Sequence, residues 1–478
     1  MSRRVLPLIL LCTIAVLIAA LLWPRPGPAA ATPVTPAAGD WPQWQRNAQH
    51  QGSNNATTVA PPLAARWTTD LGSFVNGQVV ANGVVYVTTQ DVKIRALDAA
   101  TGGVLWTYQS DGPGLYPPVY DAGTVFVLNA GGPGGTVQHV VALDANTGAF
   151  KWVQSLTGGR GTDGAVPAVG NGVVYVAGGD WKVHAFDEQT GAVLWRTGVD
   201  DGAVSSPAIG GSFVYASTFN AATLYAFEPL TGAVRWSVKA DGNWYENNPI
   251  VDGNRVYTGG TGNRVHAVDA LTGSFIWTTS VPTPIACTPA LGNGILYKSY
   301  FDYGTATVYT FDATTGTRRW TYQLPNASGC PAVTLGNGIA YVRAYNGGLI
   351  TLDGATGLQL DQFKLNSGGF VSSPAIGPDA IYLGTSDGKL YALAGQPATP
   401  APTTPAPTTP TPATPLPTRT PTPMPGTPGP VGGISLDAQL PGSSEGDAGL
   451  LAGVIAGAMA GAIALGGAAW YARRRRVR

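Results

Sequence analysis

Charge is scarce in this chain: only 11% of its 478 residues are charged, and the formal net charge is zero. Binding nucleic acid by neutralising phosphates needs a basic excess, so that class is excluded. Histidine is also rare: His50, His139, His184 and His266 stand without ligand spacing, and no metal site is expected. Glutamate is confined to Glu188, Glu228, Glu246 and Glu445. No two cysteines are adjacent.

What is present is glycine, aromatics and repetition. With 44% hydrophobic residues, 13 Trp, 19 Tyr and 65 Gly, the middle of the chain can bury a large core and is not disordered. The phrase "ALDAATGGVLW" at 96–106 returns as "ALDANTGAFKW", "AFDEQTGAVLW", "AFEPLTGAVRW", "AVDALTGSFIW", "TFDATTGTRRW" and, more weakly, "TLDGATGLQLD". The acidic third residues are Asp98, Asp144, Asp187, Glu228, Asp269, Asp312 and Asp353, spaced 41 to 46 apart. That period, with strand-like content, marks a propeller blade.

The phrase has a physical logic. An acid at a strand end accepts bonds from the next backbone N–H groups, and threonine adds a hydroxyl. Glycine (Gly102, Gly148, Gly191, Gly273, Gly316) supplies the positive φ that turns the chain into the last strand. The tryptophan that follows (Trp106, Trp152, Trp195, Trp236, Trp277, Trp320) buries a ring between blades, and its N–H needs a partner.

Between phrases lies a second unit, a tight turn followed by a β-branched and aromatic strand, as in "GNGVVYV" at 170–176. There are eight such strands but only seven phrases, and the last blade stops at "KLYALAG" without an outer strand. "ARWTTDLG", carrying Trp67, stands ahead of the first repeat as an outer strand without a blade. The sequence predicts an all-β fold, an eight-bladed β-propeller of four-stranded antiparallel blades over 40–396. The N-terminal outer strand closes it and removes two sheet edges.

This recurring phrase resembles the tryptophan-docking pattern of the quinoprotein, or PQQ-type, β-propeller family, and "DWPQWQRNAQHQGSN" at 40–54 is similar to its lead-in. The resemblance covers roughly 40–395 and implies eight blades, but no single function, because the family includes dehydrogenases and an outer-membrane assembly lipoprotein. For a dehydrogenase it implies PQQ with Ca²⁺ on acidic and amide groups, an aromatic lid and a carboxylate base, for which Glu246 is the one candidate.

The ends are different material. Residues 5–23 form an apolar run behind "MSRR", a signal peptide or signal anchor within 1–23, with cleavage left open, and 24–39 form a linker. Residues 397–447 are a Pro/Thr-rich stalk, 448–472 a transmembrane helix and 473–478 a basic tail. By the positive-inside rule the tail is cytoplasmic and the propeller extracytoplasmic. Gly449, Gly453, Gly457 and Gly461 recur every four residues, either a face for a helix-mediated dimer or an Ala/Gly-rich span. "LPGSS" at 440–444 also resembles a sortase sorting signal, with Ser443 and Ser444 where that pattern has Thr and Gly. Cys12 lies in the first apolar run; Cys287 and Cys330 are either a disulfide between consecutive blades or two buried thiols.

Phrase loops and tight turns share one face of such a propeller, so the blade-to-blade connections and the loops after "VVYV" share the other. On that second face the residues become irregular and aromatic: Arg160, Asp163, Trp181, Trp244, Tyr245, Glu246, Asn247, Tyr300, Tyr303 and Tyr345 are the candidate ligand-binding set. The bland alternative for Trp181 and Tyr300 is rim packing, and for Glu246 a solvated loop. His184 and His266 fall where other repeats have Arg95, Tyr225 and Tyr309, which are packing positions. The expected function is a non-enzymatic, membrane-tethered binding or scaffold module for a protein, peptide or glycan, needing no cofactor. The alternative is a PQQ-dependent dehydrogenase of an alcohol or sugar.

Overall fold

Inner strands run directly into two-residue turns, so each blade starts as a hairpin beside the central axis. In the computed structural model the described residues are 35–112, 114–129, 137–157, 165–200, 204–218, 221–239, 248–260, 263–282, 285–302, 304–324, 330–344, 348–365 and 369–396. The chain divides into two compact units, Met1–Pro402 and Thr403–Arg478, and every described residue lies in the first. The expected signal segment, stalk and C-terminal span lie outside the described residues; among those described, no helix is long and apolar enough to cross a membrane.

Eight antiparallel sheets form the blades. Blade 1 is built from Val75–Ala81, Val84–Thr89, Lys93–Asp98 and Val104–Gln109, each strand paired with the next. Blades 2 to 7 repeat this order and begin at Val119, Ala168, Ala208, Ile250, Ala290 and Ala332. Blade 8 has three strands of its own, Ala375–Ile376, Ile381–Gly384 and Lys389–Gly395, and takes Leu63–Asp70 as its outer strand. The predicted closure is therefore observed: residues near the start of the fold complete its last sheet.

Each blade docks on the next by the predicted device. The indole N–H of Trp67 donates to Ala99 O, that of Trp106 to Ala145 O and that of Trp152 to Glu188 O, at 2.9 to 3.0 Å. Trp195, Trp236, Trp277 and Trp320 do the same to Pro229, Ala270, Ala313 and Gly354. Tyrosines of the second strands add a second donor to the same carbonyls, as Tyr215 does at Ala270 and Tyr297 at Gly354. Only the junction from blade 7 to blade 8 lacks a tryptophan. There Asp361 replaces it, and its carboxylate accepts the backbone N–H of Leu63 at 3.1 Å.

Within the phrase, the aspartates behave as the sequence suggests. Asp187 accepts from the Thr190 N–H and hydroxyl, and Asp312 from those of Thr315 and from Arg319. These bonds favour the charged form: the carboxyls of Asp98, Asp187, Asp269 and Asp353 sit below their ordinary range, and Asp312, held first by Arg319, falls to about 2.

Candidate functional site: the strapped axial channel

The inner strand of every blade leaves one edge facing the axis, where backbone N–H groups need partners. Residues 41–54 supply them in chain order. Val80 N–H donates to Trp41 O, Tyr120 N–H to Pro42 O and Val169 N–H to the Gln43 side-chain oxygen. Ile209, Val251, Leu291 and Leu335 donate to the carbonyls of Ala48, Gln49, Gln51 and Gly52. These donors occupy the same inner-strand position in blades 1 to 7. On blade 8 the order reverses, and the buried Asn54 amide donates to Ile376 O at 2.7 Å and to Gly39 O at 2.6 Å. The segment is thus a strap that touches all eight blades in turn, on the side of the tight turns.

Tight curvature shows in the strap's backbone. Gln45, Arg46 and His50 all have positive φ, at 54°, 75° and 59°, which non-glycine residues adopt only under constraint. His50 is buried, stacks edge-on with Trp44 at 5.1 Å, and its Nδ1 lies 3.2 Å from Pro249 O, so that nitrogen carries the proton. Burial pulls its pKa down to about 4, which makes it a neutral packing group.

Above the strap lies a cavity of about 140 Å³ lined by Trp41, Trp44 and Gln45 of the strap, Asn76 to Gln78 of blade 1, Pro117, Thr334 of blade 7 and residues 371–374 before blade 8. None of these side chains is ionisable. On the other side of the strap, a wider groove of about 550 Å³ contains Arg46, Asp252 and several amides.

The two faces of the propeller differ. Turns between first and second strands are two residues long in blades 1 to 7, whereas the link from second to third strand runs over 130–136 in blade 2 but only 303–304 in blade 6. Among the residues expected to bind on this second face, Arg160, Asp163, Trp244, Tyr245, Glu246, Asn247, Tyr303 and Tyr345 lie outside the described residues. Trp181 is described and 42% exposed, at the end of its loop with φ of 62°. Tyr300 is fully buried, edge-on to Tyr309 at 5.6 Å, so its ring belongs to the packing of blade 6 and presents no surface. Cys287 and Cys330 are bonded, with Cα atoms 5.4 Å apart, and tie the approaches to blades 6 and 7 together.

The histidines act as packing groups. His184 lies 2.9 Å from Asp180, and His266 Nδ1 lies 2.9 Å from the Thr278 hydroxyl. Among the described residues no cluster of His, Cys, Asp and Glu could hold a metal ion. PQQ carries three carboxylates, and the uncharged axial cavity offers them no cation, so the lining of this cavity does not fit that cofactor. The disulfide also joins residues 43 apart and is not vicinal.

Strap and cavity escaped the sequence reading, which saw 40–54 only as a lead-in. A signal was present, however. The position four residues before each tight turn is proline in blades 2 to 6 (Pro118, Pro167, Pro207, Pro249, Pro289), and the corresponding residue of blade 8 is Pro374, but in blade 1 it is Gln78. Blade 7 places Pro331 two residues further from its turn, and at the inner-strand position where the other blades have alanine, valine or isoleucine it has Thr334.

Fold, docking and strap together define a PQQ-type repeat propeller. The family model described as outer membrane protein assembly factor BamB matches residues 43–161, 136–287 and 286–399, and the chain belongs to that family. Among curated relatives, tetrathionate hydrolase of Acidithiobacillus ferrooxidans is 24% identical over 61% of this chain and 54% of its own. Outer membrane protein assembly factor BamB of Yersinia pestis is 27% identical over 45% of this chain and 58% of its own. The chain therefore spans little more than half the length of these relatives. The solved quinohemoprotein alcohol dehydrogenase from Comamonas testosteroni superposes with a TM-score of 0.60 at 16% identity, covering 76% of this chain and 82% of that one. This last likeness is one of fold.

Proposed function

We propose that this protein is a non-enzymatic binding or scaffold propeller, held outside the cytoplasm by its C-terminal span, that captures a protein, peptide or glycan on the face of unequal loops. The observation that carries this reading is the contrast between the faces. One is uniform, with its inner N–H groups taken up blade by blade by the strap, while the other changes from blade to blade in length and in aromatic content. Variation on one side of a rigid repeat scaffold is where recognition is built. Similarity to proteins described as an outer membrane protein assembly factor supports the reading.

The dehydrogenase alternative draws support from the alcohol dehydrogenase fold likeness and from partial matches to quinone alcohol dehydrogenases, such as that of Gluconobacter oxydans at 32% identity over 33% of this chain, and one experiment separates the two. Tryptophan fluorescence of the full chain is followed during titration with PQQ, with and without Ca²⁺. No saturable change in a folded sample is expected. Calcium-dependent quenching at micromolar PQQ, with reduction of an artificial electron acceptor, would replace the scaffold reading with the enzymatic one.

A further inference from the structure

Three buried side chains around the axial cavity hold polar atoms that no protein group satisfies. Gln45, 3% exposed, makes no hydrogen bond from either amide atom. Gln78, 5% exposed, gives its Nε2 to Ser373 O at 2.7 Å and Tyr382 O at 2.9 Å, while its Oε1 has no partner. Two carbonyl acceptors fix the orientation of that amide, so Oε1 is a set acceptor. Thr334 is fully buried, and its hydroxyl is also unpaired.

Each such group in a sealed apolar setting destabilises a fold, and a fold this regular could have avoided them. The repeat has a solution at both positions: proline fills that of Gln78 in the neighbouring blades, and alanine, valine or isoleucine stands at that of Thr334 in the other seven. The unpaired atoms therefore coincide with the places where the repeat is broken, and they converge from the strap, blade 1 and blade 7 on one cavity with Trp41 and Trp44 in its wall.

We infer that this cavity is a binding site for a small, uncharged, polyhydroxylated ligand about the size of one six-membered ring. The volume of about 140 Å³ is close to the roughly 150 Å³ that accommodates a benzene ring. The free atoms include a fixed acceptor, an amide that both donates and accepts, and a hydroxyl, so a ligand meeting them must donate and accept around its rim, as hydroxyl groups do. Indole walls suit the C–H faces of such a ring. An anion would meet the Gln78 oxygen with no cation to offset it, and a cation would find no carboxylate. The site is separate from the loop face proposed for partner capture, and its test needs neither that partner nor turnover.

Calorimetric titration of the full chain with glucose, xylose and glycerol, against gluconate and glucosamine as charged analogues, tests the inference. One-to-one saturable binding of a neutral ring compound is expected, with the charged analogues at least about tenfold weaker. Thr334→Val is nearly isosteric and is expected to raise the Tm of the free protein while weakening the neutral ligand about tenfold, a pairing that a purely structural threonine would not produce. Gln45→Leu, on a different element, is expected to weaken binding similarly and guards against misfolding of the first variant. Failure of all neutral probes to bind, as for a cavity holding only water, would overturn the inference. So would equal affinity for the charged analogues, or variants that bind as wild type does.

Discussion

The indole N–H of Trp195 donates to the carbonyl oxygen of Pro229 in the next blade at 2.7 Å, and the same ring covers Gly232. A Cβ at Gly232 would lie 2.4 Å from two ring carbons, and φ there is 68°. Gly232→Ala therefore combines left-handed strain with loss of the ring's seat and is expected to destabilise by about 3 kcal/mol. At Gly211, φ is 57° and nothing lies within 4 Å of the added Cβ, so Gly211→Ala should lose only about 1 kcal/mol. Urea unfolding of the two variants isolates the docking contribution, and equal losses would show that the ring adds nothing.

Glu188 is anomalous within the phrase: at its position the other copies have alanine, proline or glycine, and it is only 7% exposed. Burial, reinforced by Asp121 and Asp187 and opposed by Lys151, raises its pKa from 4.5 to about 7. The folded state then binds more protons than the unfolded one between those values, so this stabilising term is full below about 4.5 and disappears as pH rises through 7. Glu188→Ala is expected to gain on the order of 2 kcal/mol at pH 8 and nothing at pH 4. Melting curves across that range check it; a pH-independent difference would contradict the mechanism.

The phrase aspartates give the opposite sign on the acid side. Their lowered pKa values mean that a stabilising term present above the ordinary range is lost as pH falls toward that of Asp312, about 2. Asp312→Asn should flatten the acid limb of the stability profile, measured as urea midpoint between pH 5 and 2.

Removing the strap's hold on blade 8 should be felt throughout the ring. Asn54→Ala leaves the buried carbonyls of Gly39 and Ile376 without their donor and is expected to lose about 2–4 kcal/mol. Hydrogen exchange should accelerate at Leu335 and Leu291, whose N–H groups the strap also receives. Unchanged protection at these amides would mean that the strap is held blade by blade.

Cysteine chemistry offers a simpler check. The bond between Cys287 and Cys330 closes a loop of 43 residues, for which the chain-entropy account gives about 4 kcal/mol at most. The double variant Cys287→Ser, Cys330→Ser should unfold at lower urea. Wild-type protein should show no thiol reactive at either position before reduction.

Much of this architecture was legible because the repeat carries it in side chains. The Thr-Gly step and tryptophan recur in register, so blade number, docking and the borrowed outer strand followed from counting phrases around Trp67. Tyr300 looked like a surface aromatic because its loop is irregular, yet its position alternates into the core beside Tyr309. The strap was hidden for another reason: its bonds run mostly through backbone carbonyls, which any residue supplies, so no side-chain pattern announces them. Gln78 could have been found as a break in a proline position and Thr334 as a polar residue at an aliphatic one, but only their unpaired atoms tell a site from drift.

The strap and the outer strand of blade 8 share one stretch of chain, residues 41–70, which meets partners as far as 334 residues downstream, where Gln396 N–H donates to Pro62 O. A chain delivered amino end first must therefore keep Leu63–Asp70 unpaired until Lys389–Gly395 emerge, whereas the strap can take up the inner amides of blades 1 to 7 as each appears. Closure of the ring is then a late event governed by long-range pairing, and a product truncated before residue 389 would be left with an open ring and an unpaired outer strand.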